Sequence, residues 1–342
     1  MEEDEKYIWR CIQLAKNGLC TASPNPMVGA VIVCDGKIIG EGYHVRSGEA
    51  HAEVNAVRSV KDQSLLRRST IYVSLEPCSH YGKTPPCADM LIEKGIRRIV
   101  IGCEDPFVKV HGRGIQKLLN AGCEVKVSVL EKDCSQLIRK FITLNTVDRP
   151  YVTLKWAESA DGFIGKKCCR TILSTSLSTL LVQKRRAEND AIMVGTETAR
   201  VDNPQLTLHG WYGKNPIRVV LDRKLSLPQS IHLFDGSVRT LVFTTSSSRA
   251  DSFNLEYIVL PEEEYCLSRF LEELAQRNIQ SLLVEGGAQL HQSFIDEGLW
   301  DEAYVEKSVT VLGGGVFAPQ LKCIKEFANQ RVLGVDVFKY KH

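Results

Sequence analysis

Two short strings concentrate the residues that could do chemistry. "HAEVNAV" carries His51 and Glu53, and "EPCSHYGKTPPC", residues 76–87, carries Cys78 and Cys87, each directly after a proline. One imidazole and two thiolates are donors that zinc takes in a tetrahedron, and a catalytic zinc keeps its fourth position for water. His51 and Glu53 read as the start of one helix and Cys87 as the start of another. A helix start favours the thiolate, because its unpaired N–H groups stabilise negative charge. Along a long helix two residues spaced as His51 and Glu53 do not share a face, but in the first turn both can converge on an object above the helix end. A carboxylate so placed accepts a proton from water at the metal and passes it to a leaving amine.

The spacing leaves several readings open. Eight residues separate the cysteines, where a common zinc clip has two. A disulfide, two unrelated buried thiols, or a closed structural zinc with His80 as fourth ligand would each use the same residues. His-x-Glu followed by Pro-Cys-x-x-Cys is the zinc deaminase signature, from which only the cysteine spacing departs.

These residues need a scaffold. Residues 7–17 carry apolar side chains at Ile8, Cys11, Ile12, Leu14 and Ala15 and stop at Gly18, which predicts a helix with a glycine cap. Residues 27–34 and 37–43, joined by Asp35-Gly36, predict a β-hairpin. Then follow a helix from near His51, strand 71–75, helix 87–94, strand 98–102, helix 114–120, strand 124–129 and helix 133–145. Polar "LNTVDRP", residues 144–150, marks a boundary between domains 1–147 and 148–342. Beyond it the spacing predicts strand 151–156, helix 178–187, strands 191–195, 217–221 and 241–244, helix 267–277, strand 281–285, helix 288–297 and strand 303–308. Strands alternating with helices place both halves in the α/β class.

Composition narrows the partners. The chain has 342 residues, enough for two domains, with 44% hydrophobic and 25% charged residues. A formal charge of +2 without a long Lys/Arg run argues against a large nucleic-acid footprint and for a small-molecule partner. The acidic start Met1–Lys6 is unlike a signal peptide, and no apolar run reaches membrane-spanning length, so a cytoplasmic protein without a membrane partner is expected. Its 12 scattered cysteines then favour reduced thiols and metal ligands over disulfides.

Taken with "SPNPMVGAVIV" and "GCEDPF", the two opening strings closely resemble the deaminase domain of the bifunctional riboflavin biosynthesis deaminase/reductase family. The long loop between the cysteines is typical of that family. "LKWAESADGFIG", "RRAENDAIMVGTETARVDNPQLT", "LLVEGGAQL" and "GLWDEAYVEKS" resemble its reductase domain. The resemblance implies a cytidine-deaminase-like α/β/α layered domain followed by a dihydrofolate-reductase-like α/β domain. It also implies one Zn2+, NADPH and a small phosphorylated pyrimidine. The 2-amino group of a diaminopyrimidinone ribosylamino phosphate is replaced by oxygen, and the ribosyl side chain of the resulting aminouracil is reduced to ribityl. A homo-oligomer through the reductase half is compatible with the family.

The match assigns roles residue by residue. His51, Cys78 and Cys87 match the zinc ligands and Glu53 the proton shuttle. Asn25, His44, His80, Lys83 and Asp105 match positions contacting the pyrimidine, ribose or phosphate; an Asn offers paired donor and acceptor to a ring edge, and a Lys a point charge to a phosphate. In the reductase half Lys155 matches the catalytic position, Arg186, Leu206 and Glu285 substrate positions, and Ala157, Thr198 and Asp202 cofactor positions. Gly286-Gly287 before a helix would let backbone N–H groups approach a cofactor phosphate, and Arg223 and Arg200 are candidates for its 2′-phosphate. No Gly-x-Gly-x-x-Gly fingerprint is present. The chain departs from the family pattern at Phe107, Arg170, Ile172 and His209, and the adjacent Cys168-Cys169 pair has no nearby His. Two rival functions use the same residues: a zinc deaminase acting on nucleic acid, and a structural zinc module with an inactive reductase half.

Overall fold

Helix α1 (Glu3–Ala15) shows how sequence pattern becomes position: Ile8, Cys11, Ile12 and Ala15 are buried at helical spacing, while Glu3, Arg10 and Gln13 face outward or to the rim. In the computed structural model, which describes residues 2–81, 85–106, 112–167, 169–321, 326–332 and 335–342, the chain divides into two units, Met1–Asp148 and Arg149–His342. Lys83, Phe107 and Cys168 lie outside the described residues.

The first unit continues through β1 (Gly29–Cys34), β2 (Lys37–Tyr43), α2 (Ala52–Ser59), β3 (Thr70–Leu75), α3 (Cys87–Glu93) and β4 (Arg98–Cys103). It ends with α4 (Arg113–Asn120), β5 (Glu124–Lys126), α5 (Glu131–Leu137) and α6 (Arg139–Val147). Among the described residues the strands form one sheet in the order β2-β1-β3-β4-β5, antiparallel across β2-β1-β3 and parallel beyond. All six residues of β1 are buried because both its faces are covered. Val31 and Val33 pack with residues of α1 and α5, whereas Ala30 and Ile32 pack with residues of α2, α3 and α4. This is the α/β/α layering that the resemblance implied.

Two expectations are corrected in this unit. The strand expected over 124–129 is only β5, because Ser128 (φ 62°) and Leu130 (φ 55°) adopt left-handed backbone and turn the chain into α5. The helix expected over 133–145 is two helices that meet at Ile138. Within the polar stretch 144–150, α6 runs to Val147, and left-handed Asp148 (φ 55°) ends it just before the next strand.

The second unit begins with β6 (Tyr151–Glu158), β7 (Phe163–Gly165), α7 (Ser176–Ala187), β8 (Ala191–Gly195), α8 (Thr196–Asp202) and β9 (Ile217–Leu221). Then come β10 (Thr240–Thr244), β11 (Leu255–Val259), α9 (Leu267–Gln276), β12 (Ser281–Gly286), α10 (Ala288–Asp296) and β13 (Glu302–Lys307). β14 (Val316–Phe317), β15 (Glu326–Val332) and β16 (Val335–Lys341) close the chain. The main sheet runs β11-β10-β9-β8-β12-β6-β13-β16-β15, parallel from β11 to β13 and antiparallel at β16 and β15. β7, β11, β14, β15, β16 and α8 were not anticipated, for they are short or carry polar residues without a clean apolar period. Lys155 does not sit near a strand end, as read from sequence: β6 extends to Glu158 and Lys155 lies within it, opposite Tyr304 of β13. A charge in so central a strand has to face a cavity or a counter-charge.

Candidate active sites

Helix α2 carries His51 to the first site. It lies so close to β2 that a Cβ on Gly42 would come within 2.3 Å of the Ala56 nitrogen. Asn55 pins its start, its side-chain amide donating to the Tyr43 and Ala50 carbonyls at 2.9 and 3.2 Å. His51 is the N-cap residue, and Glu53, 3% exposed, stands in the first turn. Cys87 opens α3, and its backbone N–H donates to Cys78 Sγ at 3.3 Å. His51 Nδ1 lies 3.6 Å from Cys78 Sγ and 3.5 Å from Cys87 Sγ, and the three ligand atoms all fall within 4.8 Å of one another.

Those distances test the fit to zinc. With bonds of about 2.3 Å to sulfur and about 2.05 Å to nitrogen, a tetrahedron requires N···S edges of roughly 3.6 Å. Both edges match before any ion is considered. Hydrogen bonding from Cys87 and then from His51 brings Cys78 down to about 4, while the shared proton and burial push Cys87 up. A divalent cation lets both cysteines ionise. Burial, and next the Cys78 charge, pushes Glu53 up to about 7, against which a bound cation acts. Among the described residues the cluster has three members, so His80, exposed at the rim, does not complete a closed tetrahedron.

The cluster opens on a cavity of about 260 Å³ that also brings together Asn25, His44, His80 and Asp105. The Asn25 side-chain nitrogen lies 3.1 Å from His44 Nε2, and His44 Nδ1 lies 3.2 Å from the Ala50 carbonyl oxygen. An amide nitrogen only donates, so His44 accepts at Nε2 and carries its proton on Nδ1. Burial lowers the His44 pKa and favours that neutral form. Phe141 of α6 and Glu76 also line the cavity and were missed from sequence. Phe141 had no local motif to mark it; Glu76 stood inside the quoted string but lacked any ligand-like spacing.

The second unit holds a larger cavity of about 730 Å³. Lys155, Ala157, Arg186, Thr198, Asp202, Leu206, Glu285 and Gly287 line it together, as expected of a shared site. Arg186 forks onto Glu285 with bonds of 3.0 and 2.6 Å and donates to the Thr207 carbonyl at 3.0 Å. That contact holds the loop on which Leu206 adopts φ 52°, an uncommon conformation for a branched side chain. Burial raises the Asp202 carboxyl and lowers the Lys155 ammonium, the latter opposed by Glu285 and Glu306.

Three expected cofactor residues lie elsewhere. Arg223 pairs with Glu262 at 2.6 Å and covers the Tyr265 ring, outside the cavity lining. Gly286 is also outside it: a Cβ there would meet Thr198 Cγ2 at 2.8 Å and Val194 Cγ1 at 2.9 Å, so close packing is what requires glycine. Arg200 pairs with Glu197 and Ser226. The residue most plainly missed is Glu306, 4% exposed, whose carboxylate lies 3.9 Å from Lys155 Nζ and accepts from Ser174 and Ser178 at 2.9 and 2.7 Å. An acid inside the central strand "EAYVEK" was the available signal.

Comparison with known proteins places this geometry. Residues 1–103 match the cytidine and deoxycytidylate deaminase zinc-binding region, and residues 150–337 match the RibD C-terminal domain. The chain is 39% identical to the riboflavin biosynthesis protein RibD of Bacillus amyloliquefaciens over 327 residues, covering 93% of this chain and 87% of that protein. It is 34% identical to RibD of Escherichia coli over 336 residues, covering 91% and 89%. A crystal structure of the Thermotoga maritima diaminohydroxyphosphoribosylaminopyrimidine deaminase/5-amino-6-(5-phosphoribosylamino)uracil reductase superposes with a TM-score of 0.91 at 36% identity, covering 99% of this chain and 98% of that one.

Proposed function

The chain belongs to the RibD family of bifunctional deaminase/reductases of riboflavin biosynthesis, and from that premise we propose that its two cavities act in turn on one phosphorylated pyrimidine. The smaller cavity hydrolyses the 2-amino group of the diaminopyrimidinone ribosylamino phosphate, releasing ammonia. The larger reduces the ribosyl group of the resulting 5-amino-6-(5-phosphoribosylamino)uracil. The family's cofactors are zinc in the deaminase half and NADPH in the reductase half.

Residue roles follow the family match, supported for the described residues by their grouping around the two cavities. His51, Cys78 and Cys87 would hold zinc, which when bound supplies Lewis acidity toward water at the open position. Glu53 moves a proton from that water to the departing amine nitrogen, so that water and the amino compound leave as carbonyl and ammonia. Asn25 and His44 orient the ring; Asp105, His80 and Lys83 take the ribose phosphate. In the second cavity NADPH, when bound, supplies the hydride. Lys155 provides the accompanying proton, Arg186, Glu285 and Leu206 position the sugar, and Ala157, Thr198, Asp202 and Gly287 seat the cofactor. The net charge of +2 supports a small molecule over nucleic acid, and the thiolates zinc needs suit a reducing cytoplasm.

The observation that carries this reading is the His51–Cys78–Cys87 triangle at zinc spacing with Glu53 buried beside it. Feeding the diaminopyrimidinone phosphate with and without NADPH should give ammonia in both cases and NADPH oxidation only after deamination. Glu53→Gln should retain zinc while ammonia release falls by about 10²- to 10⁴-fold. Near-parent ammonia release from that variant would remove Glu53 from the shuttle role.

A further inference from the structure

Glu76 is 3% exposed and takes no part in the chemistry above, yet its carboxylate accepts four backbone N–H groups. Oε2 accepts from Asp105 at 3.2 Å and Gly112 at 3.0 Å; Oε1 accepts from Gly114 at 2.8 Å and Ile115 at 3.3 Å. Four is about the full accepting capacity of a carboxylate. Three of the donors are the N-cap, second and third residues of α4, whose own N-cap, Gly112 at φ 70°, has no side chain to satisfy them. The fourth is Asp105, which lines the deaminase cavity with Glu76 and Cys78.

The seating is tight. A Cβ on Gly114 would lie 2.1 Å from the Pro77 carbonyl oxygen and 3.1 Å from Glu76 Oε1, so α4 rests directly on the dipeptide leading to Cys78. The Glu76 backbone N–H in turn donates to the Cys103 carbonyl at 2.9 Å, tying the end of β3 to the end of β4. We infer that Glu76 is a positioning residue of the deaminase, holding the Asp105 backbone in register with the segment that presents Cys78. The inference rests on the proposed deaminase reading, in which Asp105 binds the sugar phosphate. It predicts that loss of the carboxylate weakens substrate binding and leaves the metal in place.

Glu76→Gln is the sharpest change, since the amide puts N–H groups against one pair of N–H donors and keeps the other pair. In the full chain, KM for the diaminopyrimidinone phosphate should rise roughly tenfold or more while kcat stays within about threefold, the size of effect a small misplacement of a binding group produces. Zinc per chain and NADPH-dependent reduction of the aminouracil should equal the parent's. Gly114→Ala, which lifts α4 from Pro77 with the carboxylate intact, should raise KM in the same way. Amide hydrogen exchange, read without substrate, should show faster exchange at Asp105 and Gly112 or at Gly114 and Ile115 in the Gln variant. KM within twofold of the parent in both variants, or kcat falling in step with zinc loss, overturns the inference. Unchanged exchange at all four amides overturns it too. Because exchange is read without turnover, a parent that released no ammonia would sink the deaminase reading by a separate measurement.

Discussion

Charge in the larger cavity is set by a few buried side chains. Lys155 faces Glu306 at 3.9 Å, and Arg186 is forked onto Glu285. Burial lowers the Lys155 ammonium, and the two carboxylates oppose that shift. Replacing Glu306 with Gln removes one of them and should lower the Lys155 pKa further. If Lys155 acts protonated, the alkaline limb of the reductase rate should move to lower pH, with a loss on the order of tenfold at neutral pH. A pH–rate profile of NADPH oxidation checks this, and an unmoved alkaline limb would separate Glu306 from the Lys155 proton. Sequence matching reached Lys155 and Glu285 because each stands in a recognisable string. Glu306 escaped it, although it too stands in a quoted string, because its importance lies in the pairing of β6 with β13, which brings residues far apart in the chain side by side.

At the scale of elements, one ion cluster fastens α1 to the first sheet. Asp4, 8% exposed, accepts from Arg98 at 3.1 and 3.2 Å, Lys126 at 2.8 Å and Tyr72 at 2.9 Å, linking α1 to β4, β5 and β3. Burial alone would raise the Asp4 carboxyl, but the hydrogen bonds from Arg98, Lys126 and Tyr72 outweigh it and bring it down to about 2. A depressed carboxyl stabilises the fold above its unfolded pKa, so this contribution, on the order of 2 kcal/mol, is complete above about pH 5 and lost as pH falls from about 4 to 2. Asp4→Asn should destabilise the first unit by a similar amount at neutral pH and flatten its acid unfolding over that window. Acid and denaturant unfolding read by amide hydrogen exchange in the first unit measures both. Sequence marked α1 by its apolar stripe, yet Asp4 looked like one acid in the acidic run Glu2–Glu5, because the partners that make it structural come from three strands.

For the whole molecule, the His51–Cys78–Cys87 cluster and the larger cavity fall in different units, Met1–Asp148 and Arg149–His342. Chelation should therefore abolish ammonia release while NADPH oxidation on supplied aminouracil phosphate persists within about twofold, since the metal's binding energy belongs to the unit that holds it. Loss of both activities on chelation, measured at constant secondary structure, would show that zinc supports more than its own unit. The amino-acid sequence by itself picked out the His51–Cys78–Cys87 cluster with Glu53 beside it, the family and the alternation that makes both halves α/β. Those features are written in local spacing, because a tetrahedral site on two helix starts and a strand-helix period each leave a short-range mark. Tertiary structure alone decided that α5 and α6 are separate, that Gly286 is a packing glycine, that Arg223 faces Glu262, that Glu76 and Phe141 line the smaller cavity, and that Glu306 faces Lys155. Each of these depends on burial or on a counter-charge supplied from distant chain, and such partners exist only once the sheets have formed.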